Sequence, residues 1–221
     1  MDAGLTVGER IVLLGLDEQD GTPRELLRVG CAVAAVLLLQ LVLSGHAVER
    51  DGGLVVTEQP PPDEPLAAAM AEQMRQHPGA KPRTWLLAVR DQAVTAAYEG
   101  LLAKGAVREE GRKVLGVFGS HRYPVTDPAV PAALRAELSA VLLDGARPAP
   151  ATAELVLLLH RAGLATLALP GTDPAKIAPR VEEVAATLGS AGKAGDALSA
   201  ALAALTVFLT AFLASIPGLA G

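Results

Sequence analysis

Between Val29 and Gly45 the chain carries no charged residue, and its stretch 37–43 is apolar apart from Gln40. A helix that is apolar all round has no face to offer water, so it belongs in the middle of a bundle or inside a bilayer. A chain built on such a segment must supply other helices to cover it. The composition provides them: 51% of the 221 residues are hydrophobic, mostly Ala, Leu and Val, and only 3% are aromatic. Ala and Leu lose little side-chain freedom in a helix, so the expected fold is mainly α. With 19% charged residues and this apolar content the chain can bury one sizeable core, and a single globular domain over 1–221 is expected.

A second uncharged run, 197–216, has the length of a membrane-spanning helix. It is diluted by Ala, Ser and Thr and lacks flanking basic or aromatic clusters, which favours a core helix. The first sixteen residues mix Asp2, Glu9 and Arg10 into apolar sequence and do not follow the order of a signal peptide. The lone Cys31 cannot close an internal disulfide, and a reducing, cytoplasmic setting is expected.

Local signals divide the chain further. Thr6 and Glu9 form a capping-box pattern ahead of a helix at 7–14, ended by Gly15. The next helix is expected from Pro23 or Arg24. The segment 41–56 reads as helix end, glycine, short strand, Asp51-Gly52 turn and short strand, and 101–117 repeats that grammar with its turn at Glu110-Gly111. A third helix end at 157–164 precedes 167–169. Helices are further predicted at 66–76, 85–104 behind a Thr84 cap, 131–143, 153–161 and 174–188.

The chemistry of common active sites is missing from the pattern. His46, His77, His121 and His160 are scattered without metal-ligand spacing, and no nucleotide, nucleophile-elbow or zinc-protease motif occurs. A non-enzymatic protein with no cofactor and no metal is expected. The net charge of −5 argues against nucleic acid, and Glu49, Glu109 and Glu110 on the β-wings would repel phosphate in a winged-helix arrangement. Basic residues are the remaining resource. Arg24 and Arg28, four apart, would share a helix face and meet one phosphate. Lys81, Arg83 and Arg90 flank Trp85, a combination that suits a lipid head-group surface; the plainer reading is a solvated helix face with Trp85 in the core.

The ordered segments 5–16 (LTVGERIVLLGL), 40–45 (QLVLSG) and 102–105 (LAKG) resemble consecutive signatures of the Golgi phosphoprotein 3 family, and the likeness covers roughly 5–164. The alanine-rich composition looks like that of a bacterial, actinobacterial member. The resemblance implies a central apolar helix wrapped by amphipathic helices with short β-hairpin wings. It also implies a peripheral membrane protein that binds phosphatidylinositol 4-phosphate, an anionic lipid, through a Trp and several Arg, and that touches the bilayer and self-associates through a hairpin between two helices. Here that places the protein at the inner face of the plasma membrane. The family's Trp position falls near Glu25 or Leu26, one Arg near Ala34, and an Arg pair near Asp91 and Val94, none of which matches. Arg90 and Arg28 are the nearby substitutes, and with Arg24 they form the expected head-group residues. The hairpin position falls at 146–153, so Arg147, Pro148, Ala149 and Pro150 form the expected membrane-contact loop. The missing Trp and Arg positions keep open a soluble protein–protein adaptor that has lost lipid binding.

Overall fold

In the computed structural model the fold is mainly α, with two small antiparallel hairpins; residues 4–50, 53–78, 82–111 and 121–189 are described. The elements run α1 (Val7–Leu14), α2 (Leu26–Leu43), β1 (Ala47–Arg50), β2 (Gly53–Val56), α3 (Pro65–Gln76), α4 (Pro82–Ala103), β3 (Glu110–Gly111), β4 (His121–Arg122), α5 (Ala129–Leu142), α6 (Pro150–Arg161), α7 (Ala165–Ala168) and α8 (Pro174–Gly189). The C-terminal run at 197–216 and Lys81 lie outside the described residues.

The uncharged run forms most of α2, which packs against α1, α3, α4 and α6. Among the described residues α2 is the helix long and apolar enough to cross a bilayer, yet 72% of it is buried inside the protein. Leu38 and Leu39 are wholly enclosed, each contributing on the order of 1.5–3 kcal/mol through burial. α2 is thus the central apolar helix, and the helices around it supply the cover it requires.

α1 begins as expected. Thr6 Oγ1 accepts from Glu9 N at 3.2 Å, and Thr6 N donates to Glu9 Oε2 at 2.7 Å, so two orphan amides at the helix start are satisfied reciprocally. The glycine helix ends also form. At 101–106 and 159–164 the amide two residues past the cap reaches back five positions, Ala106 N to Leu101 O at 2.9 Å and Leu164 N to Leu159 O at 2.7 Å. Gly105 and Gly163 sit at φ +65° and +68°, the left-handed conformation this closure needs.

Several expectations are corrected. Pro23 and Arg24 precede α2, because Glu25 takes φ 49° and separates them from the helix. Thr84 is the third residue of α4, not its cap. Glu110-Gly111 is a strand, not a turn. Arg108 N bonds Pro124 O and Thr126 N bonds Ala106 O, both at 3.0 Å, in the register that pairs Glu110 with Arg122. This ladder carries the chain past the expected turning point. The third helix end is followed by the short helix α7. The first hairpin pairs Ala47 through Arg50 with Val56 through Gly53 as expected, with Asp51-Gly52 outside the described residues.

Candidate functional site

The expected head-group arginines start from α2's entrance. Arg24 lies in the connection before the helix, where its amide bonds Gly15 O at 2.7 Å and its guanidinium pairs with Asp17. The expected helix face shared by Arg24 and Arg28 does not form, since only Arg28 is helical. Arg28 sits 3.7 Å from Glu25 and donates to Gly163 O, at the end of α6, at 3.4 Å.

Arg90 comes from α4, whose path runs against α2. The two helices approach closely at Gly30, where a Cβ would lie 2.8 Å from Arg90 Cγ and 3.0 Å from Cδ. The missing side chain leaves room for the Arg90 stem to lie across α2. Its Nε donates to Asp91 Oδ1 at 2.8 Å. Around it opens a cleft of about 490 Å³ lined by Leu26, Leu27, Gly30, Asp91, Val94 and Thr95. Leu26 is 62% exposed at its rim.

The three arginines do not converge in this cleft. Arg28 is two residues before Gly30, about 200° around the helix, and turns toward α6. Each arginine carries its own carboxylate: Asp17 for Arg24, Glu25 for Arg28 and Asp91 for Arg90. Hydrogen bonding to Asp91 raises the Arg90 pKa further, so the guanidinium stays charged. Trp85 is 2% exposed in the core and its indole Nε1 has no hydrogen-bond partner among the described residues. The plain reading of that tryptophan holds, and it cannot rest on a membrane from there.

The expected contact loop takes another form too. No strand occurs at 144–149, and Pro150 opens α6 at a position where a missing N–H costs the helix nothing. Arg147 and Ala149 are exposed and Pro148 half-buried, beside Leu143, which is 53% exposed. Arg180 on α8 holds this loop, donating to Val141 O at 3.0 Å, Gly145 O at 3.1 Å and Ala146 O at 2.8 Å. The loop leads into the start of α6, whereas Arg28 meets α6's end. Twelve helical residues put about 18 Å between them. Both hairpins lie elsewhere, β1–β2 between α2 and α3 and β3–β4 between α4 and α5.

The family model described as Golgi phosphoprotein 3 (GPP34) matches residues 7–205. The chain belongs to the Golgi phosphoprotein 3 family. No curated protein matches it. As a Golgi phosphoprotein 3 family member, it keeps the central helix and helix-wing units. Among its described residues no three His, Cys, Asp or Glu side chains gather to hold a metal.

The sequence reasoning named Arg90, reached Leu26 and Asp91 only as positions where the family's Trp and Arg are not matched, and did not single out Gly30. Gly30 was visible only as the glycine inside an otherwise helical run, a signal of close approach whose other side no local pattern identifies.

Proposed function

We propose that this Golgi phosphoprotein 3 family member is a non-enzymatic peripheral membrane protein, and that the α2–α4 cleft receives the phosphate-bearing head group of an anionic lipid, phosphatidylinositol 4-phosphate. The observation that carries this reading is the seating of Arg90. A guanidinium whose stem is seated across Gly30 in an open cleft, beside the exposed Leu26, offers charged donors to a phosphate and an apolar contact to the bilayer interface. Arg28 and Arg24, each paired with a carboxylate, lie on the flanks of α2's entrance and meet an anionic surface, such as the inner face of a plasma membrane, at close range. The loop carrying Arg147, Pro148, Ala149 and Pro150, at the far end of α6, serves as a separate contact and not as part of the head-group site.

Co-sedimentation with phosphatidylcholine vesicles, with and without phosphatidylinositol 4-phosphate, tests it. Binding should require the phosphoinositide, weaken with salt, and fall roughly fivefold in Arg90→Ala, the equivalent of about 1 kcal/mol for one basic residue at such a surface. The self-neutralised arginines favour a second reading, a soluble protein–protein adaptor that self-associates or holds another protein. Equal sedimentation with neutral vesicles, or none, would reject the lipid reading in its favour.

A further inference from the structure

Arg90 and Asp91 are unequal partners. Arg90's side chain is 28% exposed and its stem is held across Gly30, whereas that of Asp91 is 84% exposed. Their hydrogen bond uses Arg90 Nε and Asp91 Oδ1. Arg90 makes no other hydrogen bond among the described residues, so both terminal nitrogens remain for a ligand. Asp91 Oδ2 likewise accepts from nothing among them. The cleft therefore presents two charged donors and, immediately beside them, a charged acceptor, against the apolar walls of Leu26, Leu27 and Val94.

A phosphate alone satisfies half of this arrangement. It pairs with Arg90 but, as the dianion that forms above its second pKa of about 6, brings its oxygens beside a carboxylate that they repel. A phosphate ester whose neighbouring carbons carry hydroxyl groups satisfies both halves, because a hydroxyl donates where the phosphate cannot. We propose that Asp91 is the selectivity residue of the cleft: it accepts hydrogen bonds from hydroxyls flanking the phosphate held by Arg90, so that the cleft takes a polyol phosphate ester and turns away a bare phosphate monoester. The proposal rests on the head-group reading above and adds to it a residue that discriminates among anions. Discrimination of this kind needs both the attraction to one ligand and the repulsion of the other, and one carboxylate supplies both.

The test compares wild type, Asp91→Asn and Arg90→Ala on phosphatidylcholine vesicles doped with either phosphatidic acid or phosphatidylinositol 4-phosphate. Asp91→Asn preserves shape at an exposed position, and its fold is checked by circular dichroism. Wild type should prefer the phosphoinositide by roughly tenfold, the worth of a hydrogen bond to a charged group. In Asp91→Asn, binding to phosphatidic acid should rise and the preference shrink to about twofold, since an amide no longer repels the bare phosphate. Arg90→Ala should weaken binding to both lipids, to the phosphoinositide by roughly fivefold. If Asp91→Asn strengthens both lipids by one common factor, Asp91 acts only as a charge and the selectivity claim is overturned. An unchanged preference overturns it as well, while wild-type binding through Arg90 would leave the head-group reading standing. Failure of all three proteins to bind any vesicle rejects the head-group reading, and failure to prefer soluble inositol 1-phosphate over inorganic phosphate as well rejects this one with it. Titration with soluble inositol 1-phosphate and inorganic phosphate separates the sources: a preference for inositol 1-phosphate without vesicle binding keeps Asp91's role and assigns the cleft to a free polyol phosphate.

Discussion

Gly100→Ala offers a test in which the sign of the effect depends on a second residue. Glu9, with only 6% of its side chain exposed, bonds Thr6 N at 2.7 Å and Lys104 Nζ at 2.5 Å, while Lys104 also donates to Gly4 O at 2.9 Å. A Cβ on Gly100, near the C-terminal end of α4, would overlap Glu9 Oε1 and come within 3.1 Å of its Cδ. The glycine is thus the socket for a carboxylate that ties α1 to α4. Alanine in a helix interior should stabilise by up to about 1 kcal/mol. Displacing the carboxylate costs about 1 kcal/mol for the capping box and about 1.5–3 kcal/mol for the charged hydrogen bond, the latter reduced because Lys104 is one-third exposed. The net expectation is a loss of about 1–3 kcal/mol, or roughly 3–10 °C in Tm for a chain of this size. In a Glu9→Ala background the obstruction is gone and only the helix preference remains. There Gly100→Ala should stabilise by about 0.5–1 kcal/mol. Urea denaturation of the four members of this cycle measures both numbers. The same sign in both backgrounds would refute the socket.

Three further outcomes follow from the same coordinates. Gly21 has φ +69°, and a Cβ there would overlap the backbone of Tyr123 and Pro124, so Gly21→Ala should cost about 2–5 kcal/mol in a denaturant melt, combining left-handed strain with overpacking against an unyielding backbone. Burial lifts the Glu154 carboxyl from its usual 4.5 to about 7, and its Oε1 has no hydrogen-bond partner among the described residues. The folded state therefore favours the protonated form: that stability is fully present below the unfolded value, near pH 4.5, and is lost as pH rises through about 7, a span of about 3 kcal/mol that Glu154→Gln should flatten. Arg180→Ala removes the donor shared by three carbonyls at 141–146 and should cost about 2–3 kcal/mol, with faster hydrogen exchange at Leu143 and Ala146; unchanged exchange would show that the loop does not need the clamp.

Features that depend on neighbours in sequence were legible in it. The α1 capping box, the uncharged core of α2, the glycine helix ends and the first hairpin each follow from residues within a few positions of one another. What failed required knowing where the backbone goes next. Arg24 and Arg28 have helical spacing, but Glu25 at φ 49° breaks the helix between them. Glu110-Gly111 has turn composition, but the register running from Val107 opposite Val125 extends the ladder through it. Pro148 and Pro150 suggested a loop, and Pro150 instead starts a helix. For the site the limit is sharper. Adjacent residues on a helix do not normally face each other, so nothing in the sequence pairs Asp91 with Arg90. Their meeting depends on Gly30 of another helix turning the Arg90 stem along α2.

Neutral pairing of every candidate arginine bears directly on how such a protein could meet an anionic surface. The pairs are exposed enough to be cheap: Arg24 is 57% and Asp91 is 84% exposed, and ion pairs of this kind are worth about 0–1 kcal/mol. A phosphate entering the cleft therefore gives up little by disturbing Asp91's bond, and gains a guanidinium whose stem is already immobilised. The carboxylates nonetheless cancel the long-range field, so attraction from a distance should be feeble and the association rate insensitive to ionic strength compared with that of a basic patch. Whatever binds here is selected at close range, by fit to Arg90, Asp91 and Leu26 together. Neutralising Asp17, Glu25 and Asp91 at once should convert this short-range recognition into salt-sensitive adhesion to any anionic vesicle, raising the association rate more than it slows dissociation. Surface plasmon resonance on captured vesicles separates the two rates, and an association rate unmoved by the triple substitution would show that the three carboxylates do not shield the arginines.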